Sequence, residues 1–247
     1  MSKKKTAKKE SAKKTTKKKS ATKPAPKKRT AAPRESKENK QQRAARIYKE
    51  LDRLYPDAHC ELKHKDAFEL LISTILSAQC TDVRVNMVTP ALFKKYPTPK
   101  KMAAAPVETL EELVRTTGFY RNKAKSIKGA STKITEQHKG SVPDEMDELL
   151  ELPGVARKTA NVVLGNAFDK NIGVVVDTHV GRLSHRMGLT KEKDPKKVEL
   201  DMMKLFEQDN WCQLSHRLIF HGRQVCSARK PDCENCTLAK ECPKVGV

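Results

Sequence analysis

Lys158 and Asp177 lie nineteen residues apart in the chain and together supply an amine nucleophile and a carboxylate. Lys158 sits in "LPGVARKTANVV" (152–163), where a proline and a glycine precede two adjacent cations, Arg157 and Lys158, at a predicted helix start. A helix N-terminus already carries partial positive charge from unpaired N–H groups, so two cations there oppose the helix. Such surroundings disfavour an ammonium group and free the neutral amine of Lys158 to act as a nucleophile. In "VVVDTHVGRL", Asp177 follows an apolar run and precedes a helix, where it can cap the helix and still turn its second oxygen to a cleft. Read locally, these residues equally suit an exposed lysine, an ordinary αα-hairpin and a simple N-cap.

Helices must position both groups. One predicted at 143–151 ends at Leu152, and the next begins near Ala156. Gly154 supplies the positive φ that a tight reversal needs, while Leu152 and Val155 turn inward as apolar anchors. N–H groups at the start of the second helix then form an anion site suited to a backbone phosphate, with Arg157 and Lys158 facing it. Helical periodicity recurs along most of the body. Ile47, Leu51, Leu54 and Tyr55 share one face, ended by Pro56, and Asp66 caps the apolar run "AFELLISTILSA". Further helices are predicted at 82–94, 106–116, 122–137, 156–168, 178–187, 195–207 and 210–221. Only "IGVVV" (172–176) could pass for a strand, and a single strand has no partner. The expected class is all-α.

Charge is distributed unevenly. Residues 1–40 hold 17 Lys and Arg against 3 Glu with no aromatic residue, leaving 34 cations against 27 acids in the rest of the chain. The segment 1–40 is expected to be a disordered Lys-rich tail, because it cannot bury enough apolar surface to offset its ordering entropy. Attached to a body that is itself basic, it reads as a tether to a polyanion, with nucleic acid the favoured partner. The first 40 residues have no apolar stretch of signal-peptide type, and no window has the length of a membrane span. A soluble, intracellular protein with no membrane partner is expected.

Four of the seven cysteines, Cys226, Cys233, Cys236 and Cys242, fall in the last 22 residues with the spacing C-x6-C-x2-C-x5-C. That crowding argues for a metal site over a disulfide framework. Four thiolates suit either zinc or an iron–sulfur cluster, and the spacing leans weakly to the second. Cys60, Cys80 and Cys212 read as small buried hydrophobes.

"LPGVARKTANVV" followed by "VDTHVGRL" resembles the helix-hairpin-helix and the loop with catalytic aspartate of the DNA glycosylase superfamily. "LLISTILSAQCTDVRVN" and "TTGFYRNKA" are similar to its endonuclease III branch, and the resemblance covers about residues 42–242. It implies two helical domains flanking a DNA-binding cleft: a six-helix domain at 60–170 with the hairpin, and a discontinuous one from 41–59 and 171–247 that ends in an iron–sulfur cluster loop. It implies a [4Fe-4S] cluster on the four C-terminal cysteines. Carried over by position, Lys158 attacks C1′ of the damaged nucleotide, and Asp177 helps activate it and stabilises charge on the sugar. The family extrudes its lesion from the duplex, so Gln79 would fill the gap, Phe119 would wedge nearby, and Asp82 and His179 would lie near the pocket. Leu152, Gly154, Ala156 and Arg157 of the hairpin, with Arg229 and Lys230 of the cysteine loop, would contact DNA. The family hairpin usually has a second glycine where this chain has Ala156. Alanine resists the left-handed region, so an altered turn and weaker DNA affinity are expected.

The function implied is a bifunctional DNA glycosylase and AP lyase of base excision repair, monomeric, acting on oxidised pyrimidines or abasic sites in double-stranded DNA. Its location would be cytoplasmic and nucleoid-associated in a bacterium, nuclear or mitochondrial in a eukaryote. One rival is a monofunctional glycosylase such as the adenine-mismatch enzyme, whose branch lacks the lysine. The other is a non-catalytic DNA-binding protein, which needs neither Lys158 nor Asp177.

Overall fold

A computed structural model describes residues 35–247. The tether expected of the Lys-rich tail falls almost wholly outside them. Its expected boundary at residue 40 is corrected, because helix α1 (Lys37–Leu54) begins within that segment. The Ser36 side chain caps it by accepting from Asn39 N at 3.1 Å, and Arg43 pairs with Glu35 at 2.8 Å. The face carrying Ala44, Ile47 and Leu51 is buried, and that packing stabilises the helix.

The described residues form helices and connections with no strand, so the all-α expectation agrees with the structure. Helix α2 (Ala67–Leu76) is capped by Asp66, whose Oδ1 accepts from Glu69 N at 2.9 Å. Every residue from Phe68 to Leu76 is buried, so α2 forms the axis of a first core. Around it lie α3 (Asp82–Lys95), α4 (Pro99–Ala103), α5 (Val107–Val114), α6 (Tyr120–Gln137), α7 (Met146–Leu150) and α8 (Arg157–Ala167). Leu70, Leu76, Leu110, Ile127 and Leu164 are among its fully buried side chains. A second core joins α1 to α9 (Thr178–Arg186), α10 (Pro195–Met203) and α11 (Trp211–Gln224), through Ile47, Leu51, Leu183, Met202 and Leu218.

The run "IGVVV" is extended but pairs with no strand. Val175 enters the first core, while Val174 and Val176 enter the second. Alternate side chains of an extended chain point to opposite sides, so a strand-like sequence threads between two cores. The Val175 N–H donates to Ser215 Oγ at 3.0 Å in place of a sheet partner. No described helix is long and apolar enough to cross a membrane.

Candidate active site

A cleft of about 1460 Å³ is lined by Leu62, Val162 and Val175 of the first core and Val176 and Val198 of the second, together with Gln79, Asp82, Lys158, Asp177 and His179. Lys158 reaches it from the first turn of α8, and is exposed. Asp177 is the N-cap of α9: its Oδ1 accepts from His179 N and Val180 N, both at 2.8 Å. Its Oδ2 has no hydrogen bond among the described residues, so one carboxylate both caps a helix and presents an oxygen to the cleft. Asp82 stands at the first turn of α3. Burial pushes its carboxyl above the ordinary value, against the pull of Lys158 and with the repulsion of Asp177 adding to the rise.

Two arginines that the sequence did not single out hold these groups. Arg223 of α11 donates to Asp82 Oδ2 at 2.8 Å and pairs with Glu61. Arg182 Nη2 lies 3.2 Å from His179 Nδ1 and 2.9 Å from the carbonyl of Gly222. A guanidinium only donates, so His179 Nδ1 accepts and the ring proton of the neutral form sits on Nε2. Gly222 makes room for that packing, since a Cβ there would lie 2.9 Å from His179 Nδ1.

Gln79 and Phe119 share an uncommon backbone state. Both are exposed and both have left-handed φ, 52° and 48°. Neither is glycine, so each conformation costs energy that local packing must offset. For Phe119 the anchor is Lys123, a buried lysine whose Nζ donates to the Thr117 carbonyl at 2.7 Å. Gln79 lines the cleft, whereas Phe119 stands outside its lining.

At the hairpin, Gly154 has φ +82°, and a Cβ there would also approach Ser126 Cβ to 2.7 Å. Leu152 and Val155 are buried as anchors, so any approach of Leu152 to DNA uses its backbone and not its side chain. Ala156 has φ −106° and ψ 169°, extended backbone open to any residue. The altered turn expected there is corrected: the left-handed position of this hairpin is 154, not 156. No side chain caps α8, leaving the N–H groups of its first turn without a side-chain acceptor. Arg157 stands outside the cleft lining. Its guanidinium turns from the cleft to the buried Glu199 of α10, at 2.8 and 3.1 Å from the two oxygens. Arg229 and Lys230 are exposed, in no ion pair among the described residues, on a loop shaped by Ser227 Oγ donating to the Lys230 carbonyl at 2.6 Å.

The metal expectation is overturned. Among the described residues no group of three or more His, Cys, Asp or Glu side chains is arranged to hold a metal ion. Cys226, Cys233, Cys236 and Cys242 do border one narrow cavity, and three of them are engaged by other groups of the protein. The Cys242 thiol donates to the Arg186 carbonyl at 3.4 Å, Cys236 Sγ lies 3.5 Å from His221 Nε2, and Cys226 Sγ accepts from Arg186 at 3.3 Å. Burial pushes the Cys236 and Cys242 thiols up, and the neighbouring cysteines add to the rise. The [4Fe-4S] cluster, and the cluster loop as part of the fold, are therefore withdrawn. The segment is instead fixed by Arg186 donating to the carbonyls of Ser227 and Ala228 at 2.7 and 2.8 Å, and by buried Leu238. Cys60, Cys80 and Cys212 are half-buried, and burial pushes the Cys212 thiol up to about 11.

A helical body with a glycine hairpin, an uncapped helix start and a lysine and aspartate across one cleft is the architecture of a helix-hairpin-helix repair protein. Residues 72–208 match the family described as the HhH-GPD superfamily base excision DNA repair protein. The chain is 56% identical over 205 residues to Endonuclease III of Synechocystis sp., covering 83% of this chain and 94% of that one. It is 46% identical over 190 residues to Endonuclease III of Bacillus subtilis, covering 76% and 86%. A solved structure described as a non-covalent Endonuclease III–DNA complex is similar at TM-score 0.79 and 44% identity, over 83% of this chain and 95% of that one. A trapped Endonuclease III–DNA covalent intermediate matches with the same TM-score and identity, over 83% and 96%. The chain belongs to the endonuclease III family.

Proposed function

We propose that this protein is a bifunctional DNA glycosylase and AP lyase of base excision repair, removing oxidised pyrimidines from duplex DNA through a Schiff base on Lys158. The observation that carries the reading is that Lys158 and the open Oδ2 of Asp177 share one cleft. A relative of known structure has been captured as a covalent intermediate with DNA, which supports a covalent route here.

The damaged nucleotide leaves the duplex for the cleft, Gln79 fills its place in the stack and Phe119 wedges beside it. Neutral Lys158 Nζ attacks C1′, and the glycosidic bond breaks with its electron pair leaving on the base, which takes up a proton. Asp177 accepts the proton lost from the amine and stabilises positive charge on the sugar. As C1′–O4′ breaks and O4′ is protonated, the opened sugar becomes a protonated Schiff base with Nζ. Loss of a C2′ proton then expels the 3′ phosphate and nicks the strand, and water hydrolyses the imine to free Lys158. The open N–H groups of α8 suit a backbone phosphate on the hairpin side.

Borohydride reduction with an abasic-site duplex tests this directly. The wild-type protein should give a covalent complex and Lys158→Ala should not; equal trapping of both would overturn the assignment.

A further inference from the structure

Arg157 and Lys158 are neighbours in sequence, yet successive helix positions are rotated by about 100° and do not face each other. Lys158 lines the cleft and Arg157 turns to α10. There Glu199, 4% exposed, accepts from Arg157 Nε through both oxygens and from Asn161 Nδ2 at 2.9 Å. Gly173 leaves space for this carboxylate, since a Cβ at 173 would lie 2.0 Å from Glu199 Oε1. A carboxylate buried this closely needs a cationic partner, so removing Arg157 strands the Glu199 charge, whereas removing Glu199 frees a half-exposed guanidinium. The cation next in sequence to the proposed nucleophile is thus neutralised by a residue 42 positions away.

We propose that Glu199 is a positioning residue that acts through Arg157: it holds the guanidinium on α10, away from the bound DNA backbone, and so limits how far that cation lowers the ammonium stability of the reacting amine. The proposal rests on Lys158 being the nucleophile. A released Arg157 would place a second cation at the start of α8, disfavouring the Lys158 ammonium and adding a phosphate contact. That contact would strengthen binding to undamaged and damaged DNA alike, with no gain specific to the reaction at C1′. The other titratable or charged groups lining the cleft with the amine are His59, Cys60 and Glu61 before α2, Cys80 and Asp82 at the start of α3, Asp177, His179, Arg182, His185 and Arg186 at α9, Glu192 and Lys193 before α10, and His216 and Arg223 of α11. None of them is hydrogen-bonded to Arg157 or Glu199.

The test compares wild type, Glu199→Gln, Arg157→Gln and the double variant. The readouts are the pH profile of single-turnover borohydride trapping on an abasic duplex, and the salt dependence of binding to an undamaged duplex. For Glu199→Gln the acid limb of the profile should move to lower pH, and the logarithmic salt slope should steepen by about one contact. The double variant should return both to wild type, because no free cation remains. Arg157→Gln, whose stranded carboxylate should move the acid limb to higher pH with the salt slope unchanged, is the harsher change; if it does not fold, Glu199→Gln and the double variant decide. Unmoved profiles, or a double variant that behaves like Glu199→Gln, would overturn the positioning role. Undiminished trapping by Lys158→Ala would instead remove the nucleophile assignment itself, so the two failures are separable.

Discussion

Arg223, near the end of α11, donates to Asp82, at the start of α3, over 2.8 Å and 141 residues of chain. The same guanidinium pairs with Glu61, so a residue of the second core's last α-helix ties down two carboxylates beside the first core. Arg223→Ala should cost about 1 kcal/mol of stability in urea unfolding, the range for partly exposed ion pairs. It should also slow excision, since an untethered Asp82 no longer keeps its place in the cleft. Unchanged excision kinetics would show that Asp82 needs no such tether.

Gln79 and Phe119 yield a prediction of opposite signs. Replacing Gln79 with glycine removes the steric penalty of its left-handed backbone, so thermal stability should rise by about 0.5–1 kcal/mol. Excision of a lesion from duplex DNA should fall at least about tenfold, because nothing then fills the vacated stack. Calorimetry and single-turnover assays on Gln79→Gly check this, and a variant both more stable and fully active would deny the residue its stacking role.

Asp177 has a structural duty and a proposed chemical one, and two substitutions separate them. Asparagine also caps helices well, so Asp177→Asn should change stability by less than about 0.5 kcal/mol, whereas Asp177→Ala should lose about 1 kcal/mol. Both should lower the single-turnover excision rate by about a hundredfold or more, through loss of the carboxylate. A nearly active Asp177→Asn would leave only the cap.

His216 makes stability depend on pH. It is buried, its Nε2 lies 2.8 Å from Asn166 Oδ1, and burial holds it down at about 4 against an ordinary 6.5. Between those values the unfolded chain binds a proton that the folded chain refuses. This contribution is therefore complete above about pH 6.5 and is lost as pH falls toward 4, by at most about 3 kcal/mol. Between pH 7 and pH 5, wild type should lose about 2 kcal/mol more than His216→Gln in urea titrations. Identical losses would contradict a neutral buried ring.

Local signals carried most of the fold. Asp66 before α2, Pro195 opening α10 and Gly154 in the hairpin each mark a boundary through backbone chemistry that acts within a few residues. Helix α4 went unread because five residues are too few to show a period, although Thr98 caps it and Pro99 opens it. Partners distant in sequence were illegible: nothing near Arg157 points to Glu199, and nothing near Asp82 points to Arg223. The spacing of the four cysteines records their proximity, but not that Cys226 and Cys242 meet Arg186 and Cys236 meets His221. "IGVVV" misled in an informative way, because two cores select the same alternation that a sheet does.

The second core draws its opening helix and its closing contacts from opposite ends of the described chain. Ile47 and Leu51 pack in a cluster with Leu238, Arg43 donates to the carbonyls of Met187 and Glu241 at 2.7 and 3.0 Å, and Arg46 pairs with Glu241. A ribosome delivers α1 early and residue 241 late, whereas the first core is complete by Val175. Newly made α1 must therefore wait for some two hundred residues before it finds its place. Lys158 emerges partway through that interval, before Asp177, His179 and Arg223 exist to complete the lining of its cleft.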